Sequence, residues 1–336
     1  MATEARSAAA AVAAQGVQAS ERIAALAARL AQKQPKLALT VARGSSDHAA
    51  NYFAYLVMRR LGVPVVSLPM SLVTLHRAPL AVAGQFAMAL SQSGASPDLV
   101  DTMSALREAG ALTAAFVNRT ESPLAKRCEW VVPLAAGDEK SVAATKSYIA
   151  ALAAVARLVG QWQRDQQLLG AIETLPERLE SAANVDGAQV VDALVGAERA
   201  MVVGRGLGFA VALEAALKLK ETCALQAEAF SSAEVRHGPM ALIDKGYPLI
   251  VFALRGPEQA GIIDFAREMR GRGARVTLAA PPDVEDADVK LVVADDPMLD
   301  PLLAIQTFYL VVAQLSEARG LDADAPRHLS KVTLTR

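Results

Sequence analysis

The feature that most constrains the fold of this chain is an internal repeat of a short apolar run, a polar turn and a helix. Val41-Ala42-Arg43-Gly44 is matched by Val203-Gly204-Arg205-Gly206, and Ala89-Leu90 is matched by Ala253-Leu254. The offset between the two copies stays near ~162 residues, which is the length of a domain rather than of a solenoid repeat. Because short apolar runs alternate with helices, each copy is predicted to be an α/β domain built on a parallel sheet.

The predicted elements divide the chain into two domains and a tail. In the first copy the predicted strands are Leu37–Val41, Gln85–Leu90, Ala111–Val117 and Trp130–Leu134, and the predicted helices run from about His48 to Arg60 and from about Pro97 to Glu108. In the second copy, Ala274–Ala280 and Val292-Val293 are the counterparts of Ala111–Val117 and Val131-Val132. Further helices are predicted over the first 35 residues, from about Ala143 to Ala183 and over Asp300–Arg319. We therefore expect a first domain at 1–180, a second at 181–320 and a tail at 321–336.

Composition excludes several classes of protein. Hydrophobic residues make up 53% of the 336 residues and the net charge is -1, which predicts packed cores and argues against a nucleic-acid-binding surface or a polybasic membrane anchor. The two cysteines, Cys128 and Cys223, are too few for a disulfide scaffold, and the histidines are scattered, so we expect no metal site. The N-terminal stretch Met1 to Leu30 lacks the compact apolar core of a secretory signal, and we expect a cytoplasmic protein.

A hydroxyl-rich loop follows the second predicted strand of the first copy. It reads Ser91-Gln92-Ser93-Gly94-Ala95-Ser96 and precedes a predicted helix that begins with Pro97. Ligands of parallel α/β sheets bind beyond the carboxyl ends of the strands, and a helix N-terminus suits a phosphate group. The simpler alternative is that Ser96 only caps the helix, which leaves Ser91 and Ser93 unexplained. We therefore favour phosphate binding.

The Gly-rich turn of the second copy does not predict a nucleotide site. Gly204-Arg205-Gly206-Leu207-Gly208 has Phe209 at the position of the third glycine of a dinucleotide fingerprint, and no lysine of a phosphate-binding P-loop follows it. A close-packed turn between a strand and a helix is the better interpretation.

A second group of candidate residues lies on one predicted helix face. Glu214, Lys218 and Glu221 share that face by their spacing, and an exposed stripe of salt bridges is the default interpretation of such a pattern. The intervening residues are mostly apolar, however, and a buried charged triplet would need a polar cavity to face. His237 follows in a loop-like context, and a carboxylate with an imidazole can move protons at neutral pH.

Together these motifs resemble the tandem sugar isomerase (SIS) domain family, which includes the isomerase half of glucosamine-6-phosphate synthase and related aminosugar-phosphate deaminases. The resemblance runs from about Leu37 to the end of the chain. It rests on Ala42-Arg43-Gly44-Ser45-Ser46, Leu90-Ser91-Gln92-Ser93-Gly94, Ala143-Ala144-Thr145-Lys146, Glu214 to Glu221, Glu234-Val235-Arg236-His237-Gly238-Pro239 and Pro326-Arg327-His328-Leu329-Ser330-Lys331. It implies two tandem doubly wound parallel sheets, each a flavodoxin-like α/β/α sandwich.

The resemblance also implies roles for individual residues. Ser46, Ser91, Gln92, Ser93 and Ser96 would hold the sugar phosphate, with Ala144, Glu214 and Lys218 lining the site. Glu221 would move a proton between sugar carbons C1 and C2, and Lys331 would lie beside the substrate carbonyl as an imine-forming amine. His237 would catalyse ring opening and would reach the site of the other subunit of a homodimer. No cofactor is expected, because the carbonyl and imine of the substrate stabilise the developing charge.

Three departures from the family pattern refine these expectations. The synthase needs a glutaminase domain with a cysteine nucleophile, and the earliest cysteine here is Cys128, so we expect no glutamine hydrolysis. Lys140-Ser141 stands where the synthase usually has an apolar residue followed by Gly, and this sequence is more similar to that of the stand-alone deaminases. His328 stands where the family usually has Asn.

We therefore expect a deaminase that converts glucosamine 6-phosphate to fructose 6-phosphate and ammonia. An isomerase or deaminase of another sugar phosphate, such as galactosamine 6-phosphate, stays open. So does a non-catalytic phosphosugar sensor, although such a sensor would usually carry a nucleic-acid-binding element and we expect no helix-turn-helix before the first copy.

Overall fold

The computed structural model describes residues 1–331, which form two compact units. The first unit comprises Ala10–Glu139 and Lys146–Glu173 together with Ser330 and Lys331. The second unit comprises Met1–Ala9, Lys140–Thr145 and Thr174–Leu329. The domain limits expected at residues 180 and 320 stay a prediction, and the last five positions of the expected tail, 332–336, lie outside the described residues.

The described residues contain ten strands and fifteen α-helices. The strands are β1 Ala38–Val41, β2 Val65–Ser67, β3 Phe86–Ser91, β4 Leu112–Val117, β5 Trp130–Pro133, β6 Arg199–Gly204, β7 Gln226–Ser231, β8 Pro248–Phe252, β9 Arg275–Ala280 and β10 Val289–Lys290. The helices are α1 Ala2–Arg6, α2 Ala8–Gln18, α3 Ser20–Lys33, α4 Ser45–Leu61, α5 Ser71–Thr74, α6 Pro97–Glu108, α7 Pro123–Arg127, α8 Lys146–Gln163, α9 Gln166–Glu173, α10 Leu175–Ala182, α11 Ala188–Leu194, α12 Leu207–Cys223, α13 Ser232–Val235, α14 Gln259–Gly271 and α15 Asp300–Ala318. Short 3-10 turns lie at Pro239–Leu242 and Pro297–Leu299.

Each unit contains one parallel five-stranded sheet, and the two sheets have the same topology. The order is β2-β1-β3-β4-β5 in the first unit and, read from the opposite edge, β7-β6-β8-β9-β10 in the second. In both sheets the chain order reverses between the first strand and the third, at β1/β3 and at β6/β8. Such a reversal is the place where doubly wound sheets bind ligands. The predicted tandem α/β fold is confirmed.

The turn after the first strand of each sheet has the same backbone conformation. Gly44 before α4 has φ 52° and ψ -132°, and Gly206 before α12 has φ 57° and ψ -132°. Residues with a Cβ rarely adopt this conformation, which explains the shared glycine. A Cβ on Gly204 would lie 2.3 Å from the carbonyl oxygen of Gly208, so the close-packed turn predicted here is confirmed.

The cores follow from the apolar runs and the helix faces. All six residues of β3 and of β4 are buried, as expected of central parallel strands. Helix α6 packs onto this sheet with Leu99, Met103 and Leu106, whose spacing places them on one face.

The last strand of the second sheet differs from its prediction. Val292-Val293 was the expected counterpart of Val131-Val132, but β10 is Val289–Lys290 and Val292-Val293 lie beyond it. The strand has two residues, Val289 and Lys290, which pair with the last two residues of β9 at the sheet edge. The similarity of Val292-Val293 to Val131-Val132 therefore did not predict the position of the strand.

One helix among the described residues is long and apolar enough to cross a membrane. This stretch, Pro297–Ala318, has a mean hydropathy of 1.4, and 89% of its apolar window is buried inside the structure. Burial of that extent is typical of a core helix in a folded domain.

Candidate active site

The hydroxyl-rich loop lies at the carboxyl end of β3 in the first unit. The backbone N–H of Gly94 donates to Ser91 Oγ at 3.0 Å, and that of Ala95 donates to Ser93 Oγ at 3.3 Å. Since each hydroxyl accepts these bonds, its own hydrogen stays available for donation. Ser96 is the N-cap residue of α6, but its side chain makes no capping hydrogen bond, so capping alone does not explain it. Gln92 and Ser96 are half-buried.

Gly94 gives this loop its shape. Its φ is 59°, and a Cβ built on it would lie 2.2 Å from Ser122 Oγ. Both the backbone conformation and the space around the residue therefore require glycine. Its carbonyl oxygen also accepts the N–H of Leu124 at 3.0 Å, which ties the loop to α7.

The turn after β1 lies beside this loop, because β1 and β3 are neighbours in register. Ser46 is in the first turn of α4, and Arg43 precedes the turn. The Arg43 guanidinium donates through Nη2 to Asp98 Oδ2 at 2.9 Å and through Nε at 3.2 Å, where Asp98 is buried in the first turn of α6. This ion pair joins the two sides of the β1/β3 switch point. Sequence reasoning gave Arg43 no role, although its place next to Gly44 was a signal.

In the second unit, Glu214 and Lys218 are fully buried on α12, which excludes the exposed salt-bridge stripe. Lys218 Nζ lies 3.4 Å from Glu214 Oε1 and forms an ion pair with Glu221, whose side chain is 22% exposed. The hydroxyl of Tyr309 donates to Glu214 Oε1 at 2.9 Å. Tyr309 was missed by sequence reasoning, since its only signal was a polar group within the apolar helix α15.

The charges of this cluster support one another. Burial lowers the pKa of Lys218, but the carboxylates of Glu214 and Glu221 outweigh that effect, and the pKa lies above its ordinary value. Lys218 is therefore an ammonium ion at neutral pH. It holds the Glu221 carboxylate in place while leaving part of it exposed.

Glu221 lines a cavity of about 500 Å³ within the second unit. The opposite wall belongs to the residues after α15 and includes Asp322, Arg327 and His328. His328 has φ 61°, in the left-handed region where Asn and His are both enriched. The replacement of the usual Asn by His is thus compatible with the backbone of this wall.

His237 lies in the same unit but does not line this cavity. It is exposed in the turn after α13, where its backbone N–H donates to the carbonyl oxygen of Glu234 at 2.9 Å. Gly238 follows with φ 147°. Within one chain, the structure therefore does not bring His237 into the cavity wall that contains Glu221.

Lys331 belongs to the first unit, where it pairs with a buried carboxylate. Its Nζ lies 2.9 Å from Glu139 Oε2, and the Glu139 side chain is fully buried. Glu139 also accepts the N–H of Ser147 at 3.0 Å and the Ser147 hydroxyl at 2.7 Å, at the start of α8. Sequence reasoning gave Glu139 no role.

Ala144 is half-buried in the segment Lys140–Thr145 of the second unit. The N–H of Val142 in this segment donates to the carbonyl oxygen of Asp324 at 3.2 Å, and the N–H of Ser141 donates to Glu4 Oε1 at 3.2 Å. These bonds fix the segment between α1 and the residues that follow α15.

The sequence model of the SIS domain matches residues 33–159 and 193–279, which contain all of the first sheet and, of the second, β6 to β8 and β9 up to residue 279. This chain belongs to the SIS-domain family. The predicted family resemblance is thereby confirmed.

Several known proteins are similar to this SIS-domain protein over most of its length. Glutamine--fructose-6-phosphate aminotransferase (isomerizing) of Symbiobacterium thermophilum is 34% identical over 310 residues, which are 87% of this chain and 50% of the relative. The chain thus spans about half the length of the curated relatives it matches. A crystal structure of a protein named provisionally as a phosphosugar isomerase, from Silicibacter pomeroyi DSS-3, superposes with a TM-score of 0.92 at 36% identity and covers 96% of this chain and 99% of that one. The C-terminal domain of glucosamine-fructose-6-phosphate aminotransferase from Francisella tularensis gives a TM-score of 0.81 at 25% identity, over 96% of this chain and 97% of that one.

The roles of the site residues stay predictions. The structure brings Glu214, Lys218 and Glu221 together in the second unit, and it places the hydroxyl-rich loop and Lys331 in the first. The homodimer and the cytoplasmic location also stay predictions from the sequence. Among residues 1–331, no group of three or more His, Cys, Asp or Glu side chains is arranged to hold a metal ion.

Proposed function

We propose that this SIS-domain protein is a phosphosugar aldose–ketose isomerase that deaminates glucosamine 6-phosphate to fructose 6-phosphate and ammonia. The observation that carries the proposal is the buried Glu214–Lys218–Glu221 cluster, which presents one carboxylate to a cavity of about 500 Å³. A carboxylate held in this way suits the transfer of a proton between adjacent carbons. The names of the relatives, which refer to isomerizing aminotransferases and phosphosugar isomerases, support the same reaction class.

Substrate binding is assigned to the first unit. Ser91 and Ser93 accept backbone N–H bonds and keep their own hydrogens, so they are ready to donate to phosphate oxygens. Ser46, Gln92 and Ser96 complete the predicted set at the β1/β3 switch point. The N-termini of α4 and α6 add partial positive charge at the same edge of the sheet.

The proposed chemistry has three steps. His237, from a second copy of the chain, assists opening of the sugar ring. Glu221 then removes the proton from C2 of the open-chain aminosugar and returns it to C1. The C2 amine loses one proton and the C1 carbonyl oxygen gains one, so that C1 becomes an alcohol and C2 a ketose imine. Water adds to this imine, and ammonia leaves as the C2 carbonyl forms, so one water is consumed for each ammonia released. Lys331, which is held by Glu139, is assigned to the substrate carbonyl.

Neither Cys128 nor Cys223 is suited to act as the nucleophile of glutamine hydrolysis, which supports the release of ammonia rather than its supply from glutamine. Burial raises the pKa of the Cys128 thiol to about 12 and that of Cys223 to about 11. A nucleophilic cysteine needs a lowered pKa and access to substrate, and neither thiol has them.

The direct test is to incubate the purified protein with glucosamine 6-phosphate or galactosamine 6-phosphate and to measure ammonia and the ketose phosphate. We expect both products from glucosamine 6-phosphate and a loss of about 10²-fold or more in Glu221→Gln, since general acid–base catalysis contributes that much. Glu198→Gln is the matched control, because Glu198 is exposed before β6 in the same unit. Ammonia from galactosamine 6-phosphate alone would reassign the substrate. Binding without any product would leave a phosphosugar sensor and refute the enzyme.

The role of His237 in a neighbouring subunit has its own test. Glu221→Gln and His237→Ala chains are each expected to be inactive alone. If one site uses residues of two chains, mixing them after mild dissociation restores part of the activity, because some mixed dimers contain one intact site. Activity that stays at the level of the single variants would contradict the shared site.

A further inference from the structure

The two copies differ in what occupies the switch point of the sheet. Ser96, a proposed phosphate ligand, is the N-cap residue of α6 in the first unit. Glu258 is the N-cap residue of α14 in the second unit, at the repeat offset of ~162 residues. The preceding turns are alike, since Gly44 and Gly206 share their backbone conformation. An acidic side chain therefore stands where the first copy has a hydroxyl.

The Glu258 carboxylate folds back against the glycine turn of its own unit. A Cβ built on Gly206 would lie 2.8 Å from Glu258 Cδ and 2.8 Å from Oε1, and a Cβ on Gly256 would lie 2.9 Å from Oε2. The carboxylate thus fills the gap between the loop after β6 and the loop after β8. It lies beside the residue that precedes α12, where the partial positive charge of a helix N-terminus favours an anion.

The other groups of this loop do not offer a phosphate site. In the sheets Val41 pairs with Ala89 and Val203 pairs with Val251, so the offset of ~162 residues also holds for this loop. Ala253 therefore stands at the position of Ser91 and Arg255 at that of Ser93, and the sequence match of Ala89-Leu90 with Ala253-Leu254 was wrong in register. Arg255 donates to both oxygens of Asp300 at 2.7 Å and to the carbonyl oxygen of Ala294 at 2.6 Å, so its guanidinium is committed within the unit. The hydrogen bonds to the Asp300 carboxylate hold the pKa of Arg255 above its ordinary value.

We propose that Glu258 is an internal substitute for the substrate's phosphate and that it closes the second switch point, so that each chain binds one phosphosugar. The inference rests on the proposed function in one respect, since it takes phosphate as the ligand of the first copy. It goes further by naming the residue that makes two copies of one fold unequal. The carboxylate occupies the space, supplies the negative charge and repels a second anion.

The test exchanges the two N-cap residues and counts bound anions by calorimetry, with inorganic phosphate and with glucosamine 6-phosphate as probes. We expect the wild-type chain to bind one equivalent. Ser96→Glu should lower its affinity by at least about tenfold, which is 1.4 kcal/mol, because the grafted carboxylate would close the first switch point in the same way. Glu258→Ser should add a second, weaker equivalent of phosphate. Glu258→Gln, which keeps the volume of the side chain, should still bind one equivalent of phosphate per chain.

The outcomes separate this inference from the proposed function. Two equivalents on the wild-type chain, or one equivalent on Glu258→Ser, would overturn the role of Glu258 while leaving the phosphosugar site of the first unit intact. Ser96→Glu that binds with wild-type affinity would overturn it as well. No binding of either probe by the wild type would instead refute the proposed function. Unchanged melting temperatures of the variants show that the fold is retained, and we expect them because neither Ser96 nor Glu258 makes a side-chain capping hydrogen bond.

Discussion

Lys218→Met tests whether the buried charges of α12 form one coupled cluster. In the folded protein the lysine is fully buried between Glu214, which is also fully buried, and Glu221, which is 22% exposed. Removing the ammonium leaves a buried carboxylate without its counter-ion, and breaking a buried pair from one side costs about 3–5 kcal/mol. At about 2–4 °C per kcal/mol for a unit of this size, the melting temperature should fall by about 6–20 °C.

The pH dependence of stability gives a second measurement on the same variant. Since the pKa of Lys218 is raised in the folded state, its contribution to stability is fully present below the ordinary lysine value of about 10.4. It is lost as the pH rises through the higher folded-state value. The gap in melting temperature between wild type and Lys218→Met should therefore be constant around neutral pH and should narrow in strong alkali.

The assay is thermal unfolding followed by circular dichroism, with activity on glucosamine 6-phosphate measured in parallel. Lys220→Met is the matched control, because Lys220 is exposed on the same helix, and exposed substitutions change stability by about 0.5 kcal/mol or less. Equal melting temperatures of Lys218→Met and Lys220→Met at neutral pH would refute the coupled cluster. A gap between Lys218→Met and the wild type that stays the same in strong alkali would refute it as well.

Two further predictions concern packing. Gly94→Ala should lower the free energy of unfolding of the first unit, measured in urea, by more than Gly84→Ala does. Both glycines have a positive φ, at which a residue with a Cβ costs about 1–2 kcal/mol. Of the two, only a Cβ at Gly94 would meet Ser122 Oγ, at 2.2 Å, and such overpacking adds about 1–3 kcal/mol. Equal losses in the two variants would show that the loop accommodates the methyl group. The thiols of Cys128 and Cys223 should stay unreactive toward a disulfide reagent in the native protein at mildly alkaline pH and should react upon unfolding, because burial raises their pKa to about 12 and about 11. Rapid native labelling, followed by absorbance of the released thiolate, would contradict their burial.

Much of the fold could be predicted from local sequence. The strand β3 and the helix α6 lie within one residue of their predicted limits, since a buried parallel strand is a continuous apolar run and Pro97 marks a helix start. The repeat predicted two sheets of one topology. It did not predict β10, because this strand has only two residues and is defined by its pairing with β9 at the sheet edge.

The candidate site, like the fold, was determined partly by local sequence and partly by tertiary structure. The sequence by itself determined the hydroxyl-rich loop after β3 and the shared helix face of Glu214, Lys218 and Glu221, because both depend only on short-range periodicity. Tertiary structure decided that the charged face is buried and that Tyr309, from another helix, completes it. It also decided that Glu258 folds back onto Gly206, because burial and long-range contacts depend on which elements pack against each other and leave no periodic trace in the chain.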